Sequence, residues 1–362
     1  MPETRKWRLV SIVWGDRYLD LFRRISLPSL ASPGNLPALA RNTEVSYQIL
    51  TAPEDVSKIE SWPIIKHLRN YASITIEGRI WSGDKADLPG SDSAEKYDLW
   101  SDACNKTLAE AYKDKAWWML WSPDSIFSDG FLERMNEIAD TGVNVISVGC
   151  HQVVQRTPFL ESLGSLADND TGQPLTLTKR ELAALSLKHF HPGMRRNIFN
   201  FNELSIWLAV LYFPVPQEGL LVHLYHIPPT AFFQREPMQI DEGDTFDLMF
   251  TEKLIKSWDD VYYSRDTDDL CAANLTEDDF EMPWSDEGPT QRLVTRFICK
   301  HTHELHREAA LIPTYWHHGD MTRERWEKVE ELGQNIISFM NATYRENYIE
   351  GQGDPEWLKG KP

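Results

Sequence analysis

The apolar run Trp117–Trp121 stops abruptly at Ser122-Pro123-Asp124, a turn that sets one carboxylate at the carboxyl end of a buried strand. α/β sheets bind their ligands beyond such strand ends, which makes Asp124 the first candidate for chemistry; its bland alternative is to cap the helix that follows. Two earlier turns have the same character, Trp14-Gly15-Asp16 and Thr51-Ala52-Pro53-Glu54-Asp55, although both are also good local punctuation.

Downstream, His189, His191, Arg195 and Arg196 form a compact group of titratable and cationic residues, and an arginine fork suits phosphate oxygens or an acceptor. His223 and His226 lie three apart, so on a strand they face opposite sides and cannot chelate one ion together. His226, beside Pro228-Pro229 at the strand exit, is the better ligand candidate. Asp266-Thr267-Asp268-Asp269 contains a literal Asp-x-Asp, but its acid-crowded surroundings read as a solvated loop. The histidines at 301, 303 and 306 lack the i, i+4 pair of a zinc protease helix. Neither a GxGxxG after the first strand, nor a phosphate-binding GxxxxGK[ST], nor a GxSxG elbow is present, which removes the main support for dehydrogenase, kinase and α/β-hydrolase readings.

The elements that must position these residues alternate. Trp7–Trp14, Glu44–Leu50, Ser73–Glu77, Trp117–Trp121 and Val143–Val148 are short β-branched or aromatic runs, and the spacing predicts helices over Tyr18–Leu30, Ser93–Lys113 and Gly130–Asp140. Strand–helix–strand units with short connections imply a mainly parallel sheet covered on both faces. Residues 155–173 read as a loop. Thr178 with Glu181 forms a capping-box pattern that opens a helix to His189. Asp129 reads as a cap for the Gly130 helix. Leu220–Ile227 is a strand, 236–287 is acid-rich and irregular, and Pro289–Leu311 and Met321–Tyr344 read as two long amphipathic helices. The expected organisation is a sheet domain over 1–235, an acidic segment over 236–288 and a C-terminal helical region over 289–362.

Composition excludes some partners. The 362 residues carry a net charge of −18, with 55 acidic side chains against 37 basic ones, so nucleic acid is not an expected partner. No apolar run is long enough to span a bilayer, and the first residues lack the apolar core of a signal peptide, so a cytoplasmic location is expected. Four widely spaced cysteines read as reduced core residues, and most of the 14 tryptophans as core.

A nucleotide-binding type of sheet, a carboxylate after the fourth strand and a histidine at the exit of a later strand together resemble the GT-A fold of bacterial-type, nucleotide-sugar-dependent glycosyltransferases, over roughly residues 7 to 235. In that fold an Asp-x-Asp motif after the fourth strand holds a divalent metal on the donor diphosphate. Here the position reads Ser122-Pro123-Asp124, with one acid where two are usual. The resemblance implies a hexosyltransferase-like enzyme moving a sugar from a nucleoside diphosphate donor such as a UDP-sugar to a hydroxyl acceptor. Trp14, Gly15, Asp16, Tyr18, Thr51, Ala52 and Glu54 would line the nucleotide pocket, with Ser122, Pro123, Arg195 and Arg196 toward the phosphates. A Mn²⁺ or Mg²⁺ would rest on Asp124 and His226, or the site would work without metal. Glu203 is the candidate base for the acceptor hydroxyl. The alternative is a GT-A-shaped binding or scaffolding protein without catalysis, and the C-terminal helices offer a route to a homo-oligomer.

Overall fold

The computed structural model describes residues 4–79, 94–167, 172–199, 207–241, 246, 249–282 and 291–347. From β1 (Lys6–Ile12) the chain runs through α1 (Asp16–Leu21), a π-helical turn (Phe22–Ser26), α2 (Leu27–Leu30) and α3 (Leu36–Leu39) to β2 (Glu44–Thr51). α4 (Val56–Ser61) and α5 (Pro63–Leu68) lead to β3 (Ser73–Gly78), and α6 (Ala94–Asp114) to β4 (Ala116–Leu120). Next come β5 (Ser125–Phe127), α7 (Phe131–Ala139), β6 (Val145–Val148), β7 (His151–Gln155), α8 (Arg156–Leu163) and α9 (Lys179–Lys188). β8 (Val210–Val215), β9 (Gly219–Leu224), β10 (Pro229–Phe233), α10 (Met249–Leu254), β11 (Val261–Ser264) and β12 (Ala272–Thr276) follow. The chain then builds α11 (Gln291–His301), α12 (Glu304–Ala309), β13 (Thr314–His317) and α13 (Arg323–Asn347).

Seven strands form the central sheet in the order β3-β2-β1-β4-β10-β6-β11, parallel throughout except β10. This is the mixed α/β architecture expected from the sequence, with helices on both faces and a C-terminal helix. Leu9, Tyr47 and Met119 pack on one face with Phe22, Leu27 and Phe131, while Val10, Leu50 and Trp118 pack on the other with Ala103, Cys104 and Leu108 of α6. Burial on both faces is why these strands are continuous apolar runs rather than alternating ones. Trp7, Trp117, Trp118 and Trp121 all serve the core. No described helix is long and apolar enough to cross a membrane.

Two smaller sheets flank this one, β5-β12-β7 and β13-β9-β8. They correct four expectations. The Ser122–Gly130 turn contains β5, whose three residues are fully covered. Residues 155–173 contain α8, where Pro158 sits in the first turn and Phe159 and Leu163 are buried against Leu182 and Leu275. The acid-rich stretch 236–287 is not irregular: it supplies α10, the sheet-edge strand β11 and β12, an uncharged island whose pairing with β5 and β7 outweighs its polar surroundings. Finally, the helix read over 289–311 breaks at Thr302-His303, where His303 turns extended and α12 restarts. The capping box at Thr178–Glu181 is formed as its spacing predicts.

Candidate functional site

Strand order advances from β1 through β2 to β3 on one side and jumps to β4 on the other. The switch point of strand order between β1 and β4, where such sheets bind ligands, is therefore the candidate crevice. It is bordered by the sequence-predicted turns. Gly15, with φ of +79°, takes the left-handed turn that a side chain would resist and converts β1 into α1. Trp14 is half-buried against the cluster containing Val10, Leu50 and Ala52. Asp16 is exposed and pairs with Lys58 of α4 at 2.8 Å, a contact whose hydrogen bond and charge lower its carboxyl pKa. This pair ties the first loop to the second. In the second loop Thr51 and Ala52 are buried, with no hydrogen-bond partner on the Thr51 hydroxyl, and Glu54 is exposed.

Across the crevice, Ser122 donates its hydroxyl to Asp124 at 2.6 Å. The Asp124 carbonyl accepts the Leu275 amide at 2.8 Å, which draws β12 alongside and delivers Glu277 to the same edge. Glu277 is ion-paired with Arg17, whose guanidinium lies 4.6 Å from the centre of the Tyr18 ring. The Tyr18 phenol pKa is raised by burial first and then by the charges of Glu277 and Asp124, against the pull of Arg17. Tyr18, Arg17, Asp124 and Glu277 thus share one electrostatic environment across three elements.

The two lips of the crevice are also bonded to each other. The Ser26 carbonyl, at the end of the π-helical turn, accepts the Trp121 indole N–H at 3.3 Å, and the Ser26 hydroxyl donates to the Ser122 carbonyl at 2.8 Å. Asp129 does not cap α7, where Gly130 holds the N-cap with φ of +81°; its carboxylate instead accepts from Ser32 and from the Gly34 amide, at 2.7 Å for the latter, and so fixes the turn before α3.

His226 reaches this edge from the other side, because β10 runs antiparallel to β4 with Ala231 opposite Met119 and His226 lies just before it. A carbonyl can only accept, so in the 3.0 Å contact to Ala209 the His226 Nδ1 is the donor. His223 is buried, with Nδ1 on the Ala310 carbonyl at 2.8 Å, and shares no partner with His226.

Within the 189–196 group, His191 makes structural contacts. His191 is buried, donates from Nε2 to the Glu277 carbonyl at 2.6 Å and accepts the Gly193 amide at 3.0 Å, so it positions the Glu277 backbone. Arg195 is exposed, and Arg196, 3.7 Å from Glu281, lines a cavity of about 170 Å³ with Gly193, Asp278, Asp279 and Phe280. Glu203 lies outside the described residues. Sequence reading passed over Arg17 and Glu277; the uncharged stretch Leu270–Thr276 within an acidic segment was the available signal for the strand that carries Glu277.

Asp266, Asp268 and His317 form a second centre, with ligand atoms within 4.8 Å of one another, the one such grouping of metal-ligating side chains among the described residues. Asp266 follows β11 at the far edge of the sheet. The donors are committed to protein partners. Arg180 spans both Asp268 oxygens at 2.9 and 3.1 Å, His317 Nε2 meets Asp266 at 2.9 Å, and His317 Nδ1 donates to the Gly319 carbonyl at 2.7 Å. Burial works to lower the His317 pKa, but the Asp266 and Gly319 hydrogen bonds and the nearby carboxylates outweigh it and raise the value. The group fits a divalent ion only if Arg180 releases Asp268. His303 and His306 make no such grouping; their ring centres lie 3.7 Å apart with the planes tilted by 34°, and both share the Thr251 hydroxyl at 2.8 and 2.9 Å.

The fold is that of an α/β protein with a mainly parallel central sheet. No protein-family model and no curated protein matches the chain. Among solved structures, it aligns with the crystal structure of S. aureus TarS at 12% identity and a TM-score of 0.33, over 96% of this chain and 56% of that one. At that score the likeness carries no argument about fold or activity.

Proposed function

We propose that this chain is a nucleotide-sugar-dependent glycosyltransferase whose donor site is the crevice between β1 and β4. The observation that carries the reading is the reversal of strand order there, which sets Trp14–Tyr18, Thr51–Glu54 and Ser122–Asp124 around one opening, with Asp124 acting on the Tyr18 phenol. Trp14 and Tyr18 offer flat faces for the base. Arg17 exchanges Glu277 for a phosphate oxygen when donor binds. The acceptor oxygen bonds to the anomeric carbon as the bond to the diphosphate oxygen breaks, and a carboxylate, Glu203 in this reading, takes the acceptor proton.

Asp124 and His226 are suited to hold Mn²⁺ or Mg²⁺: His226 keeps its Nε2 lone pair by donating from Nδ1, and Asp124 gives one carboxylate oxygen to Ser122. Such an ion, when bound, neutralises charge on the departing diphosphate. The Ser122-Pro123-Asp124 turn, with its single acid, also favours a second reading, a module that binds nucleotide without turnover.

Thermal shift against UDP, GDP, ADP and CDP, each with and without Mn²⁺, tests the proposal. Stabilisation by one diphosphate is expected through mass action, and no shift with any of them sinks both readings. Release of free diphosphate from the matching nucleotide-sugar, on adding hydroxyl acceptors, then separates transferase from binding module.

A further inference from the structure

The long helix α13 packs across β8 and β9, burying Trp326, Ile337 and Met340 against Leu221, Tyr225 and Phe297. Polar contacts pin it toward both ends. At its start the Glu218 carboxylate accepts the Thr322 amide and the Trp326 indole N–H, each at 2.8 Å, and pairs with Arg325. Further along, Asn341 accepts from the Tyr225 hydroxyl at 3.0 Å and donates to the Arg307 carbonyl at 3.1 Å. Between these pins, in the middle of a helix of 25 residues, stands Gly333, a residue type that weakens a helix relative to alanine. Its reason is His223 of β9. A Cβ on Gly333 would lie 2.7 Å from the His223 Nε2, so the tip of the imidazole rests against bare helix backbone.

His223 is wholly buried; Nδ1 donates to the Ala310 carbonyl at 2.8 Å, and Nε2 has no hydrogen-bond partner among the described residues. Phe213 of β8 stands edge-on to the ring at 5.6 Å. The charges of the surrounding elements are committed elsewhere: Glu218 to the head of α13, Glu330 of α13 to Tyr315, and Arg307 of α12 to the Thr302 carbonyl. The other histidines nearby also face different partners, His301 the Phe297 and Trp207 rings, His306 Thr251 and His317 Asp266. Burial holds the His223 pKa below the ordinary histidine value, and the weaker opposing pull is the Ala310 hydrogen bond. A proton on Nε2 would set a second donor and a charge against a face of glycine and apolar side chains. β9 cannot yield, because β13 and β8 pair with it on both sides, and Nδ1 keeps its carbonyl. α13 can. We infer that His223 is an acid-sensitive catch for α13: protonation of Nε2 lifts the helix from β8 and β9 and lets the ring reach water. The docked form refuses the proton and the open form takes it at about pH 6.5, so docking is complete above that value and weakens as pH falls below it.

Hydrogen exchange of the full chain, followed by mass spectrometry as pH is lowered from neutral and corrected for the intrinsic exchange rate, tests this. Protection of α13 should fall by about tenfold per pH unit below about pH 6.5, ahead of any loss in α6 on the central sheet. His223→Asn, which retains a donor for the Ala310 carbonyl but does not titrate, should remove that fall, and His301→Asn should leave it in place. Loss of α13 protection only together with α6 would show unfolding of the whole chain and overturn the proposal. So would an unchanged profile in His223→Asn, or a His223 ring that titrates at the ordinary histidine value by NMR while α13 stays protected. The first and last of these outcomes are read on the unsubstituted chain, and they decide the matter even where His223→Asn fails to fold.

Discussion

The two carboxylate centres at the carboxyl edge of the sheet differ in how their charges are committed. At the far corner Asp266, Asp268 and Asp269 are each answered by a dedicated partner: His317, Arg180, and Arg134 with Tyr262 and Ser264. At the β1–β4 switch point Asp124 accepts from the Ser122 hydroxyl, and Glu277 is ion-paired with Arg17, which is half exposed. The corner is richer in acids and contains the literal Asp-x-Asp, yet its geometry is that of a latch joining the β11 exit, α9 and β13. Acid count alone does not make a ligand site, since each acid of the corner already has a partner within the protein.

The largest effect that would break this contrast is on turnover. Asp124→Asn should lower kcat by about 10²–10³-fold, as for loss of one group that stabilises transition-state charge, while Asp268→Asn should leave it within error. Reversed outcomes in a diphosphate-release assay would move the active centre to the corner. Second, Asp269→Asn should cost about 1–3 kcal/mol in urea unfolding, because it removes the charged acceptor shared by Arg134, Tyr262 and Ser264, with no effect on nucleotide binding.

A pH series sharpens the contrast further. Burial lowers the His151 pKa to about 4, its Nε2 being sealed from solvent. The unfolded chain then takes up a proton that the native state refuses. Stability should fall as pH drops from about 6.5 to 4, by up to about 3 kcal/mol, and His151→Asn should flatten that slope. The Asp266–His317 pair has a window instead. Its raised histidine pKa gives stability that is lost as pH rises through the folded value, and its lowered carboxyl pKa gives stability lost as pH falls through its own. His317→Gln should remove about 1 kcal/mol near pH 6 and less near pH 8, read from Tm against pH. The smallest effect belongs to Lys58→Ala at the first loop, where exposure of Asp16 makes the ion pair neutral for Tm and leaves any change to donor affinity.

The sheet was legible because its strands are buried on both faces and read as apolar runs between turn residues. The crevice was legible in part. Its three turns carry Gly, Pro and acids in recognisable order, so the turns at Asp16, Thr51 and Asp124 emerged from local pattern, while the pocket roles of Asp16 and Thr51 rested on the resemblance. Glu277 did not, since what brings it to Asp124 is the pairing of β12 with β5, a contact between residues about 150 apart with no local trace. His317 was missed for the same reason: only the bridge between Asp266 and Tyr315 brings it to Asp266. His191 was misread because a histidine beside a turn looks reactive until the carbonyl that fills its ring nitrogen is known.

The π-helical turn at Phe22–Ser26 amounts to one residue inserted into an otherwise α-helical run. Because an α-helix advances about 100° per residue, deleting one residue there would rotate everything on its amino-terminal side by that angle, or else turn Ser26 away from Trp121 and Ser122. Arg17 and Tyr18 would swing out of the opening while the sheet beneath stayed whole. The extra residue works as an angular spacer, setting the bearing of two side chains toward the crevice independently of how far the helix extends.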